Sequence, residues 1–190
     1  NGNLLSASGG TVALSSTGSA TISAVTDNAN GTYTATVTNT VAESVTISGT
    51  LDGAAITDTA TITFTVGAAD PTNSNTTLVA SPTSVVANGS TTSSVTVTLA
   101  DANGNLLSAS GGTVALSSTG SATIGAVTDN TDGTYTATVT NTVAENVTIS
   151  GTLDGAAITD TATITFTVGA ADPTNANTTL VASPTSVVAN

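Results

Sequence analysis

The sequence contains no lysine, arginine or histidine, no cysteine, and neither tryptophan nor methionine. Each absence closes a class of chemistry. Without basic side chains the protein cannot neutralise phosphates and release their counterions, which excludes nucleic acid as a partner. Attraction to anionic lipid is excluded for the same reason. The many serines and threonines have no histidine, lysine or cysteine to activate them, so a hydrolase nucleophile has no base. Lysine–asparagine isopeptide crosslinks cannot form. Missing cysteine removes disulfides and thiolate metal sites, and together with missing histidine leaves only hard cations, which prefer oxygen, as candidate metals. No apolar run approaches the roughly 20 residues needed to cross a bilayer, so no direct membrane insertion is expected. No signal peptide opens the chain, and its export and anchoring are expected to reside elsewhere.

What remains is a strand and turn vocabulary of Thr, Ser, Ala, Val, Asn and Gly, with aromatics at only 2%. The core must therefore be aliphatic. Twelve acidic side chains give a net charge of −12 with no protein cation to balance it.

The 190 residues repeat themselves. The run NGNLLSASGGTVALSSTGSATI at Asn1 returns at Asn103, and the two copies differ only at Ser23/Gly125, Ala29/Thr131, Asn30/Asp132, Ser44/Asn146 and Ser74/Ala176. A period of 102 residues is domain-sized rather than solenoid-sized. With ADPTN opening each repeat, residues 1–69 read as the later part of one domain, 70–171 as a complete one, and 172–190 as the first strand of the next. GAADPTN, at Gly67 and Gly169, is the linker, stiffened by Pro71 and Pro173.

Within the complete repeat, alternation with period two marks strands. Ser94–Leu99 turns Val95, Val97 and Leu99 inward; Thr134–Thr140 does so with Tyr135, Ala137 and Val139. Asn146–Leu153 buries Val147, Ile149 and Leu153, and Thr161–Val168 buries Ala162, Ile164, Phe166 and Val168. Weaker strands are expected at Thr77–Ala80, with Val85–Ala87 as its continuation, at Thr113–Leu116 and at Ala122–Val127. Turn signals separate them: ANGN, SGG, STG, NTDG and DGA. About seven short strands in about 100 residues, with no helical period, predict an all-β Greek-key β-sandwich, repeated end to end.

The run SVVANGSTTSSVTVTLADANGN from Ser84, then GGTVAL, TDNTDGTYTATVT, VTISGTL and TATITFTV, resembles the group 1 bacterial immunoglobulin-like domains of intimin and invasin adhesins. The resemblance covers the whole repeat. It implies tandem immunoglobulin-like domains forming a rod that holds a distal binding domain away from the outer membrane. The chain departs from that pattern in lacking all basic residues and any lectin-like tip domain. DGTYTA at Asp132 also resembles a tyrosine corner, with Tyr135 either bonding back to backbone or serving as a core aromatic with a wet edge.

The acids concentrate in loops. Asp101, Asp129, Asp132 and Asp154 are expected at the pole that receives the incoming linker, where Asp70 sits, and Glu145 at the opposite pole, so that its counterpart Glu43 faces the next domain. Carboxylates gathered without a base favour separation or a bound cation. Calcium at the domain junction, held by Asp70, Asp101, Asp129, Asp132, Asp154 and Glu43, is one expectation; plain Asx turns in hairpins are the other. Asn-x-Ser/Thr sequences at Asn30, Asn75, Asn88, Asn146 and Asn177 permit glycosylation.

These features together point to a non-enzymatic structural spacer of an extracellular, cell-surface adhesin, stalk or filament, whose partners are neighbouring repeats of the same chain. Two alternatives stand beside it. One is an adhesive module recognising a surface or glycan; the other is lateral assembly with other copies of the fibre.

Overall fold

The computed structural model describes residues 4–183 and 185–188. Its strands come in two series with the same order. The first comprises β1 (Val12–Ser16), β2 (Thr21–Ile22), β3 (Thr26–Asp27), β4 (Tyr33–Thr34), β5 (Val37–Thr38), β6 (Ser44–Leu51), β7 (Ala54–Ala55) and β8 (Ala60–Thr63). The second opens with β9 (Thr77–Ser81), β10 (Ser84–Val86) and β11 (Ser93–Thr98), for which the first series has no equivalents among the described residues. It continues with β12 (Val114–Ser118), β13 (Thr123–Ile124), β14 (Thr128–Asp129), β15 (Thr134–Thr140), β16 (Asn146–Leu153), β17 (Ala156–Ala157) and β18 (Ala162–Thr167).

In the second series two sheets face each other. One runs β13–β15–β11–β9, with β14 also on β15; the other runs β10–β18–β16–β12, with β17 on β16. The Ser-Val-Thr-Val-Thr alternation of β11 places Val95 and Val97 on the inner face, where register aligns Leu78, Val97 and Tyr135 in one row and Ala80, Val95 and Ala137 in the next. The opposing sheet contributes Val147 beside Ile164, Ile149 beside Ala162, and Val85 beside Phe166. All of these side chains are buried, and all but Ala137 belong to one contiguous cluster. Each fully buried Val, Leu, Ile or Phe contributes roughly 1.5–3 kcal/mol by leaving water, so a core of small aliphatics gains its stability by burying many of them together. Strand-facing threonines such as Thr163 and Thr165 stay exposed.

Three expectations change. Val85 and its neighbours do not extend β9: the chain crosses to the other sheet, where β10 pairs in parallel with β18. Pro82, between the two strands, has no N–H to continue the β9 ladder. Of the expected strand Ala122–Val127 only β13 forms, and pairing with β15 resumes at β14, past the expected end, because three residues separate Ile124 from Thr128 while two separate their partners Val139 and Thr136. That one-residue excess is a bulge. Finally, Val168 is not core but 80% exposed, beyond the end of β18.

Tyr135 is buried, and its hydroxyl spans the sandwich: it donates to the Gly112 carbonyl at 2.8 Å and accepts from the Gly111 amide at 3.0 Å. The hydroxyl thus closes onto the SGG loop before β12, more than 20 residues upstream. Tyr33 makes the same pair of bonds to Gly10 and Gly9.

Phe166 is 2% exposed and lies in the cluster with Tyr135 and Val97. Phe166→Ala is expected to cost about 3–5 kcal/mol in urea titration, the range for emptying a packed aromatic site. A loss under about 1 kcal/mol would show that β18 is peripheral to the core.

Candidate functional site at the junction between repeats

The loop after β11, Asp101-Ala-Asn-Gly-Asn105, is where the two series meet. Locally it is an Asx-type turn: Asp101 Oδ1 accepts the amides of Asn103 and Asn105, both at 2.9 Å. Gly104 turns at φ +84°, and a Cβ there would lie 2.7 Å from Asn75 Nδ2. The other Asp101 oxygen, Oδ2, leaves its own unit and accepts the Gly67 amide of the linker at 2.8 Å.

Asn105 makes the second crossing. Its Nδ2 donates to the Thr40 carbonyl at 2.9 Å and to Asp101 Oδ2 at 3.0 Å, while its Oδ1 accepts the Ala42 amide at 3.0 Å. One side-chain amide therefore ties the β5–β6 loop of the first series to the carboxylate that holds the linker. Backbone bonds complete the seam: the Asp70 amide donates to the Ala100 carbonyl at 2.8 Å, and the Thr159 amide to the Pro71 carbonyl at 3.1 Å. Thr76, fully buried, donates its hydroxyl to the Asp70 carbonyl at 2.7 Å and accepts the Ala100 amide at 3.0 Å. An open groove of about 440 Å³ runs beside this seam, lined by Ala42, Phe64 and Val66 on one side and Leu107 and Ala109 on the other.

Asp101 is 2% exposed, a buried carboxylate without a cation. The Asn105 side-chain amide first, then the Gly67 N–H, holds its pKa down to about 2 against the opposing cost of burial. The other expected ligands engage separately. Glu43 accepts the Ser19 amide and the Asn39 side chain of its own unit, and the first of these leads in lowering its pKa. Asp70 and Asp132 are lowered chiefly by the hydroxyls of Thr72 and Thr134. Asp129 accepts the Thr131 amide and Asp154 the Thr113 amide.

The six carboxylates are thus not brought together. Among the described residues no three acidic side chains gather to hold a metal ion, so these residues as placed do not assemble the six- to eight-oxygen cage calcium takes. The physical reason is the missing cations: amide and hydroxyl groups are the only donors in the chain, and each carboxylate folds onto the nearest one. Of the six, Asp101 alone has a side-chain hydrogen bond to the other series. The sequence marked Asp101 but not Asn105 or Gly67. Asn105 was legible only as a turn residue, and Gly67, Thr40 and Ala42 take part through backbone groups that any residue carries.

The family described as Invasin, domain 3 matches residues 1–67 and again 70–169. Among solved structures, Yersinia pseudotuberculosis InvD is 32% identical with a TM-score of 0.56, over 89% of this chain and 50% of InvD. The Escherichia coli adhesin FdeC is 26% identical with a TM-score of 0.59, over 87% of this chain and 55% of FdeC. Invasin, a bacterial integrin-binding protein, is 27% identical with a TM-score of 0.55, over 83% of this chain and 32% of invasin. The chain therefore spans about half or less of each.

Two outcomes are expected. Asp101 titrates below its ordinary value of 3.8, so its contribution is complete above that value and is lost as pH falls through about 2. Glu43, Asp70 and Asp132 have the same sign. Melting temperature should therefore be flat above about pH 5 and fall below about pH 4, although the chain, having no basic side chains, approaches neutrality there. Asn105→Ala should flatten that fall and loosen the junction in small-angle scattering; an unchanged acid profile would place the titrating stability elsewhere. Separately, calcium, magnesium and chelator at matched ionic strength should give one melting temperature, and a rise specific to calcium would show that a cation gathers the carboxylates after all.

Proposed function

This chain belongs to the invasin domain 3 family of all-β, immunoglobulin-like bacterial adhesin domains, and we propose that within such an adhesin its repeats are the spacer of an extracellular stalk. The adhesin domains it resembles are not enzymes, and its solved relative FdeC is an adhesin. Among the described residues no helix is long and apolar enough to cross a membrane. In this reading residues 70–171 are one repeat unit, and 1–69 and 172–190 are parts of its neighbours.

The observation that carries the proposal is the Asp101–Asn105 seam. A flexible string needs no buried carboxylate spanning two domains, whereas a stiff stalk needs the angle between domains fixed. A linker of a few residues, pinned at Gly67 by a side chain and at Asp70 and Pro71 by backbone bonds, has little freedom left to bend. The sequence carries the backbone side of the seam forward, because Thr142, Ala144 and Gly169 occupy in the second copy the positions of Thr40, Ala42 and Gly67 in the first. Each junction built this way sets the same angle, which makes the stalk regular.

Dispersed charge has a place in this function too. A net −12 with no basic patch keeps neighbouring stalks apart in solution and offers nothing to steer a polyanionic ligand inward. Invasin, an integrin-binding protein, supplies the rival reading, in which the repeats themselves engage a receptor.

The chain, immobilised or labelled, is expected to bind neither cells nor glycan arrays, while tandem forms of increasing repeat number lengthen by a constant increment in small-angle scattering. Saturable binding by the repeats would move recognition into them, and a length growing only as the square root of repeat number would show a flexible string.

A further inference from the structure

Two of the four prolines follow an aspartate, at Asp70–Pro71 and Asp172–Pro173, both in the linker sequence. In each copy, hydrogen bonds converge on that peptide unit. Asp70 Oδ1 is held by the Thr72 amide at 2.8 Å and the Thr72 hydroxyl at 2.7 Å. The Asp70 carbonyl oxygen accepts the Thr76 hydroxyl at 2.7 Å and the Asn73 amide at 3.3 Å. Asp172 repeats the set: Thr174 amide and hydroxyl at 2.8 and 2.7 Å on the carboxylate, Thr178 hydroxyl at 2.8 Å and Asn175 amide at 3.3 Å on the carbonyl. The second set forms in a stretch that carries no strand, so it is built by local sequence.

Two ingredients of acyl transfer are therefore side by side. The aspartate side chain is of the length that closes a five-membered ring on the carbonyl carbon of its own residue, and two donors bond the carbonyl oxygen on which negative charge develops when that carbon is attacked. The leaving group is a proline nitrogen, which has no N–H and departs as a secondary amine once protonated. We infer that the linker is a self-scission site, at which Asp70 and Asp172 cut the bond to the following proline in acid and release the repeats from one another.

The step balances with water as the only co-reactant. An oxygen of the aspartate carboxylate adds to its own backbone carbonyl carbon, forming a C–O bond and moving the carbonyl electron pair onto the oxygen faced by Thr76 or Thr178. Collapse restores the carbonyl and breaks the C–N bond, whose electron pair stays on the proline nitrogen with a proton from solvent. Residue 70 or 172 is left as a five-membered cyclic anhydride, which water opens to two carboxyl groups. Nothing is oxidised or reduced. The threonine hydroxyls beside both aspartates lower the pKa of their carboxyls, so the ionised, attacking form persists further into acid than it does in a free aspartate. This inference goes beyond the spacer reading and does not depend on it.

The test is incubation of the whole chain at about pH 3, with and without concentrated urea, followed by intact mass measurement. New chains beginning at Pro71 and Pro173 are expected at least about tenfold faster without urea, because urea dissolves the hydrogen bonds and leaves only the inherent lability of the dipeptide. Thr178→Val should slow cutting after Asp172 by about tenfold and leave cutting after Asp70 unchanged. Thr178 is exposed, so that variant removes the hydroxyl without emptying a core. Asp172→Glu, which would need a six-membered ring, should suppress the cut after residue 172. Equal rates in urea, an unaffected Thr178→Val, or undiminished cutting in Asp172→Glu would each overturn the proposal.

Discussion

Every negative charge in this chain has to be held by an N–H or an O–H, because the sequence offers no cation. That constraint organises its polar structure. Carboxylates fall on a free amide close by in space, two residues ahead in a turn or at the end of a neighbouring strand, as with Asp129 to Thr131 and Asp154 to Thr113. Asp101 differs because one of its oxygens finds its amide in the preceding unit. A single accepting atom, backed by the Asn105 amide, converts a solvated turn into an interdomain joint. Salt bridges would have offered longer reach and looser geometry; amide bonds demand contact, and contact fixes the angle.

The duplicated sequence serves as an internal control on packing. Residues 134–140 form one continuous strand, β15, because β11 pairs along it from Thr134 to Val139. Residues 32–38, of identical sequence, form only the fragments β4 and β5, since no strand among the described residues stands where β11 does. Burial follows pairing: Leu153 is 3% exposed and its counterpart Leu51 36%. Strand β11 is thus the keystone of its sheet, supplying ladder bonds on both edges and the valines that Leu78 and Tyr135 pack against. Val66 and Val168 teach the same lesson at the junction, the first half-buried against the following unit and the second largely exposed.

Period-two alternation in an aliphatic chain was enough to locate the strands of the sandwich, and most inward residues named from it, Val95, Val97, Tyr135, Val147, Ile149 and Phe166 among them, are buried. Alternation is a strong signal because a single sheet face meets the core. It was silent on the crossing of β10 to the opposite sheet, which leaves the apolar pattern unchanged, whereas the bulge between β13 and β14 is marked by the three-residue step from Ile124 to Val127, both packed against the core. The junction was half legible. A carboxylate in a loop at the correct pole was visible, whereas Gly67, which bonds it, and Thr40 and Ala42, which bond Asn105, act through backbone groups, on which side-chain identity leaves no mark.

Local sequence by itself determined the turns. The Asp-Pro-Thr-Asn turn at Asp172 carries the same hydrogen bonds as that at Asp70, though no strand follows it among the described residues. Its partners lie two to six residues away, and bonds of that span form within the segment. Only the tertiary structure decided what the same residues do at distance. Leu78 is 2% exposed and Leu180, in the same local sequence, is fully exposed. The ladder and the opposing sheet that bury Leu78 come from residues far along the chain, and a strand without them has neither hydrogen-bond partners nor an apolar face to meet.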